Sequence, residues 1–211
     1  MLRLEHFRKT YGNTPVLTID ALTLDRSIYW IKGINGSGKS TLLKTMAGIL
    51  AFEGNIVLNG TVDIRKQPVH YRKRVNFAEA EPLFPPFLTG YEMIRLFAAA
   101  KDATTKYTIE LLERMNMHEY IQEPISIYSS GMIKKLSLAL ALTGTPDVVL
   151  LDEPLITMDE ASLGVLYECI TEKYTREGTS FLLSSHQPLT HSLPPVKELL
   201  VHNGTVTCEP I

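Results

Sequence analysis

The sequence predicts an α/β fold: a mostly parallel sheet covered by helices, with an antiparallel β layer and an inserted helical subdomain. Three observations carry that prediction. The stretch Gly33-Ile34-Asn35-Gly36-Ser37-Gly38-Lys39-Ser40-Thr41 lies between a short apolar run, Ile28 to Ile31, and a helix-like one, Thr41 to Leu50. That is the strand, loop and helix order of a phosphate-binding loop. Val148-Val149-Leu150-Leu151 and Ser180-Phe181-Leu182-Leu183-Ser184 are apolar almost throughout, as expected of strands buried on both faces of a parallel sheet. Between them and the loop, Thr89 to Leu142 reads as helices, which interrupt the strand pattern.

Taken in order, Leu2-Arg3-Leu4-Glu5-His6-Phe7 alternates apolar and polar residues over most of its length. Val16 to Leu24 repeats the pattern after the turn-rich Tyr11 to Pro15. Both read as half-buried strands of the antiparallel layer. After the first helix, Gly54 to Gly60 reads as a short strand ended by an Asn59-Gly60 turn, and Arg74 to Ala78 as a weaker strand. Pro82, Pro85 and Pro86 exclude regular helix from Glu79 to Gly90. Leu83, Phe84, Phe87 and Leu88 make this loop too apolar for a solvated linker, so it either packs down or docks a partner. Thr89 reads as an N-cap, with Glu92 completing a capping box. Helices follow at Tyr91 to Ala100, at Thr105 to Met115 with Leu111 and Leu112 on the apolar face, and at Ile133 to Leu142. Ala161 to Lys173 is helical. Val196 to Val201 and Thr205 to Thr207 suggest a hairpin around Asn203-Gly204.

The chemistry of the loop follows from its residue types. Polyphosphate carries several negative charges, so many backbone N–H groups must come close to it. Gly33, Gly36 and Gly38 permit that approach and the positive φ angles it needs, with Asn35 and Ser37 between them. The following helix offers its free N–H groups and the positive end of its dipole. Lys39 is placed to reach the terminal phosphates, the Ser40 hydroxyl to ligand Mg²⁺, and Thr41 to touch the α-phosphate side. An incidental Gly-rich turn is the bland alternative. The full G-x-x-x-x-G-K-S match between strand and helix disfavours it.

Such folds need a second element, an acidic residue at the end of a buried strand that holds Mg²⁺ directly or through water. Asp152 meets that description. Glu153 points the other way from the strand end, where it can polarise a water for attack on the γ-phosphate. His186 follows the next buried strand, and parallel strands deliver their carboxyl ends to one crevice. It can therefore hydrogen-bond the γ-phosphate or hold the water. Tyr11 can stack on adenine, although a turn aromatic covering the sheet edge explains it better on local pattern alone. Ser129 and Gly131, in Tyr128-Ser129-Ser130-Gly131-Met132, precede a helix as an anion site would. On their own they amount to an N-cap.

Composition bounds the rest. The chain has 211 residues, 45% of them hydrophobic, and a formal net charge of −2. That is enough for one substantial core, and no basic field points to nucleic acid as a partner. Cys169 and Cys208 lie far apart without metal-ligand spacing and fit a reduced, cytoplasmic compartment. The amino terminus lacks the apolar region of a signal peptide, and no segment approaches about 20 consecutive apolar residues. The expectation is a soluble protein whose membrane role, if any, comes through a partner.

Taken together, GINGSGKST, YSSGM and VVLLDEP, with Asp159 and His186 after them, resemble the nucleotide-binding subunit of ATP-binding cassette (ABC) transporters over nearly the whole chain and in the right order. The resemblance implies a P-loop ATPase with the loop as Walker A and the Asp152 strand as Walker B. It implies ATP and Mg²⁺ as ligands, and a homodimer or heterodimer sandwiching two ATP molecules head to tail. An integral-membrane transporter subunit would be the partner, at the inner face of the cell membrane. It further implies that Tyr11 stacks on adenine, that Ser129 and Gly131 contact the γ-phosphate held by the opposite subunit, and that Asp159 lies in a loop crossing the dimer interface. One domain, 1–211, then divides into a catalytic core, 1–88 and 143–211, and a helical subdomain, 89–142.

Two departures stand out. Ser130 replaces the family's usual glycine and Met132 its glutamine, a Ser-x-Gly-Met form that looks like a bacterial exporter branch. Where the family places a glutamine that touches Mg²⁺ and relays to the membrane subunit, this chain has Ala80, flanked by Glu79 and Glu81. Two other readings stand beside transport: a non-transport cassette ATPase acting as a mechanical clamp, and a phosphate-loop kinase.

Overall fold

The computed structural model describes residues 1–187 and 193–209. Strands β1 (Leu2–Tyr11) and β2 (Thr14–Leu24) form an antiparallel hairpin, and β4 (Glu53–Leu58) and β5 (Val62–Asp63) extend it into a sheet of order β2-β1-β4-β5. The second sheet contains β3 (Ile28–Lys32), β6 (Val75–Ala78), β7 (Val148–Leu151), β8 (Ser180–Ser184), β9 (Val196–His202) and β10 (Thr205–Glu209). Its order is β10-β9-β3-β8-β7-β6, parallel except for the β9–β10 hairpin. Both predicted layers are therefore present.

The residue alternation in β7 and β8 explains their continuous apolar character. Val148, Leu150 and Leu182 enter the core between the two sheets, together with Leu4, Phe7, Ile31, Leu42 and Met46. Val149, Leu151, Phe181 and Leu183 enter a second core on the opposite face, which holds the apolar sides of the inserted helices. These helices are α3 (Gly90–Ala100), α4 (Lys106–Arg114) and α5 (Ser130–Ala141), joined on that face by α6 (Glu160–Glu172). The division of α3 to α5 from the sheet is incomplete, because Asn76 on β6 donates to the carbonyls of Ala141 (2.7 Å) and Thr143 (2.9 Å) at the end of α5.

Local signals set several boundaries. Thr89 and Glu92 close the capping box at the start of α3. Asn203 and Gly204 both have positive φ, as the tight turn between β9 and β10 requires. The first helix, α1, spans Lys39–Met46, so the expected reach from Thr41 to Leu50 is corrected at both ends. It stops because Gly48 takes φ 73° and the amides of Gly48 and Ile49 bond back to the carbonyls of Thr45 and Lys44, a Schellman closure. Helix α2 (Pro68–Arg74) falls in a stretch to which the sequence pattern assigns no element, although Pro68 at its first turn and Arg72, Lys73 and Arg74 in its last are proper terminal signals.

The loop after β6 packs down only in part. Phe84 and Leu88 pack against the second core, whereas Leu83 and Phe87 are 93% and 78% exposed.

Candidate functional site

The phosphate loop leaves the carboxyl end of β3 and opens α1. Gly36 and Gly38 have φ of 77° and 106°, a region where glycine carries no steric cost. A Cβ on Gly33 would stand 2.6 Å from the Val201 carbonyl oxygen. No side chain caps α1, and no acidic residue occupies its first turn. Its first N–H groups and dipole are therefore available to an anion. The loop from Asn35 to Thr41 lines a cleft of about 390 Å³ together with Tyr11, Val16, Glu153 and His186. Of the residues expected at the chain's own nucleotide site, Tyr11, Asn35 to Thr41, Glu153 and His186 line this cleft, whereas Gly33 and Asp152 do not line it and are bonded to Lys39 and Ser40.

Lys39 lines this cleft and is itself buried. Its Nζ donates to the carbonyls of Gly33 (2.8 Å) and Ile34 (3.2 Å) and lies 3.2 Å from His186 Nε2. Burial lowers its pKa, opposed by the negative charges of Glu153 and Asp152. His186 Nε2 is also 3.4 Å from Glu153 Oε1. Lysine, histidine and glutamate therefore form one contiguous polar cluster beside the loop.

The acidic strand end is held by β8. Ser184 Oγ donates to Asp152 Oδ1 (2.7 Å) and accepts from the Glu153 amide (2.9 Å), while Ser40 Oγ donates to the same Asp152 oxygen (3.1 Å). Asp152 Oδ2 is buried with no hydrogen-bond partner. An orphaned carboxylate oxygen beside a serine hydroxyl fits a hard divalent cation. Mg²⁺ in particular takes few protein ligands and keeps waters and phosphate oxygens for the rest. The Ser40 hydroxyl and the Asp152 carboxylate together make the candidate Mg²⁺ site. Glu153 itself has φ 45°. A non-glycine residue there stores about 1 kcal/mol of backbone strain, and the Ser184 bond to its amide helps hold it.

Tyr11, at the end of β1, is 51% exposed and stacks under the Lys9 ammonium, 4.7 Å from its ring centroid. Its ring borders the cleft, as an adenine platform would.

The remaining candidates stand elsewhere. Ser129 caps α5, accepting from the Met132 amide at 3.3 Å. A Cβ on Gly131 would come within 3.0 Å of the Thr157 carbonyl. Asp159 caps α6 through the amide (2.8 Å) and hydroxyl (3.0 Å) of Ser162 and pairs with Lys135 at 2.7 Å. The Lys135 ammonium and the Ser162 amide hold the Asp159 carboxyl down at about 2. None of these three residues lines the cleft. The start of α5 lies close to the loop before α6, and Lys135 within α5 is paired with Asp159.

Sequence reasoning missed Ser184, although it is the first polar residue after a buried apolar run at a strand's carboxyl end. It also missed Lys134. That side chain is buried and donates to the carbonyls of Glu79 (3.1 Å), Ala80 (3.1 Å) and Asp152 (3.0 Å). Burial pushes its ammonium down to about 8 against the opposing charges of Asp152, Glu153 and Glu79. At the position expected to hold glutamine, Ala80 thus contributes only its carbonyl. The Glu79 carboxylate is paired with Lys44 of α1, and Glu81 is exposed.

Comparison with known proteins agrees with this geometry. Residues 22–156 match the family model described as ABC transporter. The chain is 27% identical over 188 residues to the lantibiotic transport ATP-binding protein SrtF of Streptococcus pyogenes, covering 88% of this chain and 80% of that one. It is 32% identical over 192 residues to the bacitracin transport ATP-binding protein BcrA of Enterococcus faecalis, covering 88% of this chain and 61% of that one. Among solved structures, an ATP-binding subunit of an ABC transporter superposes with TM-score 0.88 at 25% identity, covering 98% of this chain and 88% of the other. A dimeric ATP-binding cassette in a post-hydrolysis state with ADP and Pi shares the fold, with TM-score 0.85 at 20% identity over 99% of this chain and 98% of its own.

Proposed function

The chain belongs to the ABC transporter family, and from that premise we propose that it is the ATP-binding and ATP-hydrolysing subunit of such a transporter, energising a separate membrane-spanning subunit through ATP-driven closure of a dimer. One observation carries this reading. The chain holds a phosphate-facing cleft, with Lys39, Glu153 and His186 gathered around an uncapped helix, yet its second anion-type segment, Ser129 to Gly131, lies outside that cleft. Two chains facing head to tail would supply each cleft with the segment it lacks.

In this reading Gly33, Asn35, Gly36, Ser37 and Gly38 cradle the phosphates with backbone N–H groups. Lys39 moves from loop carbonyls to the terminal phosphates, Thr41 faces the α-phosphate and Tyr11 stacks on the adenine. Ser40 and Asp152 hold Mg²⁺, which when bound supplies charge neutralisation at the phosphates. Glu153 takes a proton from the attacking water as the bond to the γ-phosphorus forms, and ADP departs carrying the bridging oxygen. His186 orients that water or the γ-phosphate through Nε2. Ser129, Gly131 and Asp159 complete the site of the opposite subunit.

Among the described residues no helix is long and apolar enough to cross a membrane; as the ATP-hydrolysing subunit of such a transporter, the chain is proposed to be cytoplasmic, peripheral at the inner face of the cell membrane through the partner. Docking is placed near Leu83 to Phe87. There Leu83 and Phe84 border an apolar groove of about 370 Å³ with Ala47, Phe77 and Phe97. The exporter assignment rests on the Ser-x-Gly-Met form and is supported by likeness to proteins named for lantibiotic and bacitracin transport. The two-lobed division, with a helical subdomain over 89–142, belongs to the same proposal.

Glu153→Gln tests it. The variant should bind ATP as the parent does, hydrolyse it slower by on the order of a hundredfold, and accumulate an ATP-bound dimer on sizing chromatography. Parental turnover, or a variant that stays monomeric with saturating ATP, refutes the reading.

A further inference from the structure

Three carbonyl oxygens from two separate strand ends converge on one buried cation. Glu79 and Ala80 follow β6, Asp152 follows β7, and Lys134 Nζ donates to all three at 3.0 to 3.1 Å. An ammonium has three hydrogens, so its bonding capacity is filled. The β6–β7 ladder ends at the Ala78–Leu151 pair, with one further bond from the Asp152 amide to the Ala78 carbonyl. Beyond that point Lys134 joins the two departing segments.

We propose that Lys134 is a positioning residue that makes the loop beginning at Glu79 and the acidic strand end move as one unit, so that displacement of the loop reaches Asp152 and Glu153. The inference deepens the hydrolytic reading of Glu153 and rests on it. Three features support it. Ala80 has no polar side chain, and the Glu79 carboxylate is occupied by Lys44, so neither side chain of the loop can make this link. Lys134 stands on α5, the helix opened by Ser129 and Gly131, and Asn76 anchors the far end of that helix to β6. The pin therefore reaches the cleft, the exposed loop and the segment proposed to face the other subunit. Finally, burying a lysine costs more than burying an apolar side chain of the same length, and a methionine would fill the space without tying the segments together.

The adjacent lysine shows how finely the helix divides these tasks. Lys135 reaches the Met115 carbonyl at 3.0 Å and the Asp159 carboxylate at 2.7 Å, binding α5 to the loop before α6. Consecutive residues thus fasten one helix to two different parts of the site.

The test uses Lys134→Met and Lys134→Gln in the full chain. Lys134→Met should keep KM for ATP within about threefold and lower kcat by on the order of tenfold or more. Its amide hydrogen exchange should quicken together in peptides covering 79–84 and 151–155, with other segments unchanged. Unchanged kcat, or faster exchange in one segment only, overturns the proposal. If Lys134→Met fails to fold, Lys134→Gln, which keeps one donor group, should fold with an intermediate kcat; wild-type kcat with both segments exchanging faster would overturn the linkage. A wild-type chain without ATPase activity would instead sink the hydrolytic reading, and the exchange pattern would still judge the pin.

Discussion

The N-termini of α1 and α5 are built in opposite ways. At α1, Gly38 precedes the helix, no side chain satisfies the first N–H groups, and Lys39 brings a positive charge to the same spot. At α5 the Ser129 hydroxyl already accepts from the Met132 amide, and Gly131 is pressed against the Thr157 carbonyl. Free helix-terminal donors are costly unless something meets them. The open end is thus the one prepared for a ligand within its own chain, while the capped end is stable alone and, on the proposed function, acts only when another chain approaches.

The largest effect expected from breaking this contrast is at the open end. Lys39→Ala should reduce MgATP affinity by on the order of a thousandfold, as expected when one partner of a buried charge pair is removed. Calorimetric titration checks it, and retained affinity would show that α1 and the glycines bind phosphate unaided. Next comes the capped end. Ser129→Arg should leave ATP binding to the monomer within about twofold, yet lower steady-state turnover by on the order of a hundredfold, because the guanidinium obstructs the opposing cleft. Undiminished turnover would mean that α5 takes no part in the reaction.

The smallest effect sharpens the comparison at α6, whose N-terminus is also capped. Asp159→Ala should destabilise the chain by about 1 kcal/mol, measured by denaturant unfolding at neutral pH. The Asp159 carboxyl is held at about 2, below its ordinary 3.8. Its contribution is therefore present above about pH 4 and fades as pH falls towards 2. The stability gap between parent and variant should close over that window, and a gap constant down to pH 2 would contradict the cap and the Lys135 pair.

What could be read from the sequence was local. The phosphate loop, the Thr89–Glu92 box and the Asn203-Gly204 turn each depend on residues within a few positions. The burial of β7 and β8 on both faces was legible because an unbroken apolar run leaves no polar face. Topology places His186 and the family resemblance places Tyr11, and both border the cleft. What escaped was either short or distant in the chain. Helix α2 buries only Tyr71, too little to leave a periodicity. The bonds of Ser184 exist because β7 and β8 are neighbours across a crossover, and those of Lys134 because α5 lies over the ends of β6 and β7. Neither pairing has a signature in consecutive residues.

Strand β7 feeds alternate side chains to two separate cores and ends directly in Asp152. Its four residues therefore fix the rotational phase of the acid that follows. Inserting one residue between Val148 and Leu151 would send each core's occupants into the other and turn the Asp152 carboxylate away from Ser40. The spacing between that run and the acid is thus under two constraints at once, so length variation is expected in the surface loops and not here.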